Sequence, residues 1–278
     1  MFPGIDGFAW DTGHIVFLGA FYTVLLAIAA TVSLAAMRSR RDFRLHHEQA
    51  IRWQAEFHDL PASCRRCRHE LSGEVAERTC GLGFDCRRCA EHARLLAARS
   101  GGLPKAAVSD GVAAGFRVLA DRRYHRGHAW VRREPDGSAV VGLDDLGTRL
   151  LGEPDAVELP PVGSRVEVNG TGWTLTRNGV RARILAPIDG TVTAHGGPDC
   201  GWALRVKPDG DGADDRHLLA GEEARRWTAR EAERLQIALA ADGVGAALAD
   251  GGVPLDDIAR AITPSELDAA CGLVFLEP

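Results

Sequence analysis

The sequence predicts a mainly β protein with helical additions: a single N-terminal transmembrane helix, a small Cys-rich metal module, a compact β-barrel or sandwich, and an α-helical C-terminal tail. Three observations predict it. An uncharged run of 23 residues, Ile15 to Met37, lies near the start. Five of the seven cysteines fall between Cys64 and Cys89. Short apolar runs separated by Gly, Pro and Asn-Gly turns follow Tyr124, the pattern of short strands. A length of 278 residues leaves room for about two domains.

Ile15–Met37 would reach about 35 Å as a helix, enough for a hydrocarbon core of roughly 30 Å. Asp6 and Asp11 precede it, and Arg38, Arg40, Arg41 and Arg44 follow it. The positive-inside rule then leaves residues 1–13 outside, 14–37 in the inner (cytoplasmic) membrane and the bulk of the chain in the cytoplasm. An acidic start argues against a cleaved signal peptide. Small residues such as Gly19, Ala20, Ala27 and Ala35 suit packing against another membrane helix. His14 reads as a headgroup-level residue. Residues 38–60 read as a juxtamembrane helix, with Phe43, Ala50 and Phe57 recurring every seven residues beside Ile51, Trp53 and Leu60.

Residues 61–95 carry Cys64-x2-Cys67-x12-Cys80-x5-Cys86-x2-Cys89. Paired C-x2-C turns present thiolates in twos, and two such knuckles complete a tetrahedron round zinc. Cys67, Cys86 and Cys89 are expected ligands, with Cys64 or Cys80 as the fourth. An iron–sulfur cluster accepts the same ligands and is the alternative. A reducing cytoplasm disfavours disulfides. Arg65, Arg66, Arg68, Arg87 and Arg88 would offset the negative charge of a tetrathiolate centre. A net charge of -5 and a lone nearby aromatic, Phe84, argue against nucleic acid as a partner. His69 and His92 read as surface histidines.

Residues 96–123 read as a linker with Gly101-Gly102-Leu103-Pro104, and 124–210 as the β domain. His128–Val131 and Ser138–Val141 flank the turn signal Pro135-Asp136-Gly137, and Asp144–Leu151 reads as a short helix. Further strands are expected at Val157–Leu159, Ser164–Val168, Trp173–Thr176, Arg181–Leu185, Thr191–Ala194 and Trp202–Val206. The motifs HAWV, VGLDD, VELPPVG, APIDGTV and GWALRVKP, in this order, resemble those of the glycine cleavage system H protein. The resemblance implies a flattened β-sandwich (barrel-sandwich hybrid) of the lipoyl and biotinyl type. It also implies a lipoylated lysine on a hairpin, eight residues before Pro187. That position is Gly179, in Arg177-Asn178-Gly179-Val180. Only Lys105 and Lys207 are lysines, and neither falls on the hairpin. A guanidinium, which stays protonated, cannot be acylated in its place.

Residues 211–278 read as a helical appendage. Ala224, Trp227, Leu235 and Leu239 share one side of a helix over Gly221–Ala241, with Glu222 and Arg226 paired at i,i+4. Thr263-Pro264-Ser265-Glu266 is a capping box, and Cys200 and Cys271 read as small buried residues. No Ser-His-Asp set, phosphate loop or paired-carboxylate motif is present, so no enzyme, no catalytic residue and no small-molecule substrate is expected. The resulting expectation is a non-catalytic docking subunit of a larger membrane, possibly respiratory, complex, bearing zinc and no lipoate, with other membrane subunits as partners. An iron–sulfur electron-transfer subunit and a carrier protein related to the H protein are the alternatives.

Overall fold

The computed structural model describes residues 11–44, 60, 62, 64–99, 109–197, 200–210, 214–241, 249–250 and 253–276. It divides into two units, Met1–Gln49 and Ala50–Pro278.

The first unit is helix α1, Thr12–Arg44. Its stretch Thr12–Leu34 has mean hydropathy 2.4 and none of it is buried. Among the described residues it is the one helix long and apolar enough to cross a membrane. Asp11 caps it, accepting the His14 backbone N–H at 3.0 Å, with His14 Nδ1 3.1 Å from the same carboxylate. The Thr23 and Thr31 hydroxyls donate to the Gly19 and Ile28 carbonyls, which satisfies them without water. The helix continues through residues 38–44 of the segment read as juxtamembrane; Ala50, Ile51, Trp53 and Phe57 lie outside the described residues.

The second unit begins with the cysteine segment, which holds α2 (Arg68–Leu71), a 3-10 turn at Cys86–Arg88 and α3 (Ala90–Arg99). Next come β1 (Gly111–Ala113) and β2 (Phe116–Val118), a hairpin inside the segment read as a linker. From Gly111 onward this segment is folded and not a linker: Ala113, Phe116 and Val118 are all buried. The turn between the strands uses Ala114 and Gly115 at φ 49° and 85°. An alanine in the left-handed region carries no turn signal.

The β domain runs β3 (Arg123–Tyr124), β4 (Ala129–Arg133), β5 (Ala139–Leu143), α4 (Asp145–Leu151), β6 (Ala156–Glu158) and β7 (Arg165–Val166). It continues with β8 (Thr171–Arg177), β9 (Val180–Leu185), β10 (Gly190–His195) and β11 (Leu204–Pro208). Six strands form one antiparallel sheet in the order β3-β4-β5-β11-β10-β7, and three form the second, β6-β8-β9. The expected β-sandwich is present. Asp144 caps α4 by accepting the Gly147 N–H at 2.8 Å.

Helix α5 (Gly221–Ala241) and α6 (Pro264–Val274) form the appendage, with a short hairpin of β12 (Ala249–Asp250) and β13 (Val253–Pro254) and a 3-10 turn at Ile258–Arg260 between them. The capping box of Thr263 and Glu266 forms as expected, with Pro264 in the first turn.

The appendage explains the composition of the central strands. Ala129, Val131, Ala139 and Val141 face the inter-sheet core, joined by Leu267, Ala270, Cys271 and Val274 of α6. Trp130 and Val140, pointing the other way, pack with Ala224 and Trp227 of α5. A strand covered on both faces loses its alternation and reads as a continuous apolar run. Burying Trp227 completely removes about 3 kcal/mol worth of apolar surface from water. Cys271 is buried as expected, whereas Cys200 is exposed.

Candidate functional site

Two features draw the chemistry: the β8–β9 hairpin and the cysteine segment. Strands β8 and β9 pair with Arg177 opposite Val180, so the turn is Asn178-Gly179. Both turn residues have positive φ, 52° and 78°, the geometry that matches strand twist in a two-residue hairpin. Both are exposed, and a Cβ on Gly179 would meet nothing within 4 Å. The turn is held from two sides. Asp155 accepts the Asn178 N–H at 2.7 Å and Arg177 at 3.3 Å. Arg177 also reaches Asp257 at 2.9 Å, and Asn178 Nδ2 donates to the Ala259 carbonyl at 3.0 Å. The turn therefore rests on the appendage. Lys207 sits on β11 opposite Thr191, in the other sheet, and Lys105 is outside the described residues.

Four of the five clustered cysteines, Cys67, Cys80, Cys86 and Cys89, line one cavity of about 60 Å³. Local pairing brings them there. Arg66 bridges Thr79 in antiparallel fashion, with the Cys67 N–H on the Arg78 carbonyl at 2.8 Å and the Cys80 N–H on the Arg65 carbonyl at 2.6 Å. Cys86 and Cys89 close a tight turn, the Cys89 N–H reaching the Cys86 carbonyl at 3.2 Å. Cys64 lies outside this lining. Its sulfur takes a hydrogen bond from Arg234 at 3.0 Å, and it packs with Leu60, Phe84, Leu185 and Leu276. Of the two expected candidates for fourth ligand, Cys80 shares the cavity. Among the described residues, no three or more His, Cys, Asp or Glu side chains are already drawn together tightly enough to hold a metal ion. Burial pushes the Cys86 thiol up to about 11 and raises that of Cys67.

His69 and His92, read as surface histidines, are buried at 1% and 2% exposure. They are buried because they satisfy one another: His69 Nε2 lies 2.7 Å from His92 Nδ1, and His69 Nδ1 meets the Glu74 carboxylate. Both rings line the cavity. Burial brings the His92 pKa down to about 4. The sequence signal for His92 was its place three residues after Cys89, which caps α3: one helical face carries both.

Of the five arginines expected near the thiols, Arg68 interacts with Cys86, and the other four find carboxylates or a carbonyl. Arg87 pairs with Asp85 and Asp189, Arg88 with Asp85, Arg66 with Glu70, and Arg65 donates to the Leu60 carbonyl. Arg68 forks onto Glu223 at 2.7 and 2.5 Å. The guanidiniums nearest sulfur include Arg234 at Cys64 and Arg78, 3.8 Å from Cys89, which the spacing of the cysteines did not suggest. Arg126, 5% exposed, lines the cavity, donates to the Arg66 carbonyl at 3.1 Å and stacks 4.2 Å from the Phe84 ring. Asn169 joins this segment to the sandwich, donating to the Gly83 carbonyl at 2.7 Å while its Oδ1 accepts from His125 at 2.9 Å.

With this geometry in view, comparison with known proteins is informative. Residues 122–196 match the family model of the glycine cleavage H-protein. The chain is 33% identical over 120 residues to the glycine cleavage system H protein of Psychrobacter sp., covering 38% of this chain and 94% of that one. It is 32% identical over 103 residues to the H protein of Opitutus terrae, covering 32% and 81% respectively. A crystal structure of an H protein from Mycobacterium marinum aligns with 39% of this chain and 95% of its own at 22% identity, with a TM-score of 0.33. The family match covers residues 122–196, so helix α1, the cysteine segment and helices α5 and α6 lie outside it. The chain belongs to the glycine cleavage H-protein family.

Proposed function

We propose that this chain is a non-carrier member of the H-protein family, anchored by α1 and acting as a docking subunit of a membrane complex. The observation that carries the reading is the β8–β9 turn: Asn178 and Gly179 stand where the family's lipoyl lysine is expected, and neither bears an amine. A carrier needs a primary amine to acylate and a tip free to move with its arm. Here the tip is tied to Asp155, Asp257 and Ala259. What the scaffold retains without its reactive group is surface. The apolar span Thr12–Leu34 supports a single crossing, and the arginines after Met37 support a cytoplasmic sandwich.

Extraction from membranes in a mild detergent tests this. The reading expects release by detergent but not by salt, with other membrane proteins co-purifying in fixed ratio. A lone monomer, or a protein freed by salt, counts against it.

A further inference from the structure

We propose that the cavity lined by Cys67, Cys80, Cys86 and Cys89 binds one thiophilic divalent ion of the zinc class, with His92 Nε2 as a ligand beside the thiolates. The inference stands apart from the missing lysine and survives if the docking role fails.

Three observations carry it. The first is an orphaned nitrogen. His92 Nε2 is buried, lines the cavity and has no hydrogen-bond partner. With both rings neutral, the hydrogen bonds of the chain Glu74–His69–His92 set what that atom is. The Glu74 carboxylate accepts from His69 Nδ1–H, which leaves His69 Nε2 as a lone pair. His92 Nδ1–H then donates to it at 2.7 Å, and His92 Nε2 is left unprotonated. A buried imidazole lone pair on a residue lining a thiol cavity costs free energy unless a proton donor or a cation engages it. A carboxylate orienting a metal-binding imidazole is the usual outer shell of such sites, here with a second histidine interposed.

The second observation is charge. Arg126 is buried against the Arg66 carbonyl and the Phe84 ring, with Glu231, Cys80 and Cys86 as the groups that favour its cationic form. Neutral thiols would leave that cation with less counter-charge around it, and a buried ion is costly unless paired. A divalent ion with three thiolates and an imidazole is a monoanion, and with four thiolates a dianion. Either supplies the missing counter-charge.

The third is architecture. The 66–79 bridge places Cys67 beside Cys80, and the Cys86–Cys89 turn closes the opposite wall. The four thiols line one cavity, and an ion bound there would draw them into its shell. Cys64, held by Arg234, is not a ligand.

The test uses the full chain, purified anaerobically in detergent, with elemental analysis and X-ray absorption at the metal edge. One zinc per chain with a mixed sulfur and nitrogen shell is expected. A sulfur-only shell overturns the role of His92, and absence of metal, or iron with inorganic sulfide, overturns the site. Variants add a second readout by competition with a chelator for zinc. Cys64→Ser should hold zinc as the parent does, Glu74→Gln should weaken it roughly 10–100-fold, and Cys86→Ser should lose it. Should Cys86→Ser fail to fold, the absorption spectrum of the unsubstituted protein still decides.

Discussion

Asn178 Nδ2 donates to the Ala259 carbonyl at 3.0 Å, so the tip of the β8–β9 hairpin is anchored on a segment 81 residues downstream. The same turn donates to Asp155 and, through Arg177, to Asp257. An exposed hairpin tip in a sandwich ordinarily stands free. This one is exposed yet tied to the appendage by hydrogen bonds.

Replacing Asn178 by alanine therefore removes a hydrogen bond and places a Cβ-bearing residue with no local polar support at φ 52°. The expected loss is about 1–3 kcal/mol, from the bond and from the left-handed backbone together. Thermal unfolding of the full chain measures it. A variant as stable as the parent would show that the appendage does not hold the turn.

Trp130 lies over Gly142 on the neighbouring strand, and a Cβ there would stand 2.6 Å from the indole. The ring is further fixed by its Nε1–H on the Leu143 carbonyl at 2.8 Å and by Arg122 stacked at 3.8 Å. Gly142→Ala should cost about 1–3 kcal/mol through overpacking. The same denaturation assay reads it, and a neutral result would mean the sheet yields more easily than its packing implies.

His125 is held neutral by geometry: its Nε2–H donates to Asn169 Oδ1 at 2.9 Å, and its Nδ1 accepts the Gly127 N–H at 3.1 Å. Burial takes its pKa from 6.5 to about 3. The folded value is the lower, so the unfolded chain binds the proton first as pH falls. The contribution of the neutral ring is complete above 6.5 and is lost progressively toward about 3. The slope from this one group is at most about 1.4 kcal/mol per pH unit. His125→Gln should flatten the acid side of the stability profile, and an unchanged slope would contradict this.

Much of the sandwich was legible because its turns are built from residues with strong local preferences. Pro135-Asp136-Gly137 and Asn178-Gly179 mark hairpins by their own chemistry. The Ala114-Gly115 turn was not legible, since alanine at positive φ is dictated by its surroundings. Nor was the double-sided burial of β4 and β5, which depends on Trp227 nearly a hundred residues away. At the cysteines, spacing named all five candidates but left Cys64 and Cys80 equivalent. The Arg66–Thr79 bridge and the Arg234 contact separate them, and both are tertiary. Burial of His69 and His92 escaped because each becomes tolerable only through the other.

The apolar span is open to a direct challenge. Leu25 and Leu26 lie within Thr12–Leu34 and are exposed. Replacing both with arginine adds about 2.5–3.5 kcal/mol per residue at a helix centre in the bilayer. Membrane fractionation should then find the chain outside the membrane pellet, or degraded. A variant that stays in the pellet and needs detergent for release would argue against insertion of this helix.

The central claim is that a carrier scaffold persists here without its covalent arm. Intact-mass spectrometry of the full chain, produced in a host with active lipoylation and supplied lipoate, addresses it most directly. The account predicts a single unmodified mass, with Lys207 recovered unmodified in peptide mapping. A lipoyl adduct at any position on the sandwich would contradict it.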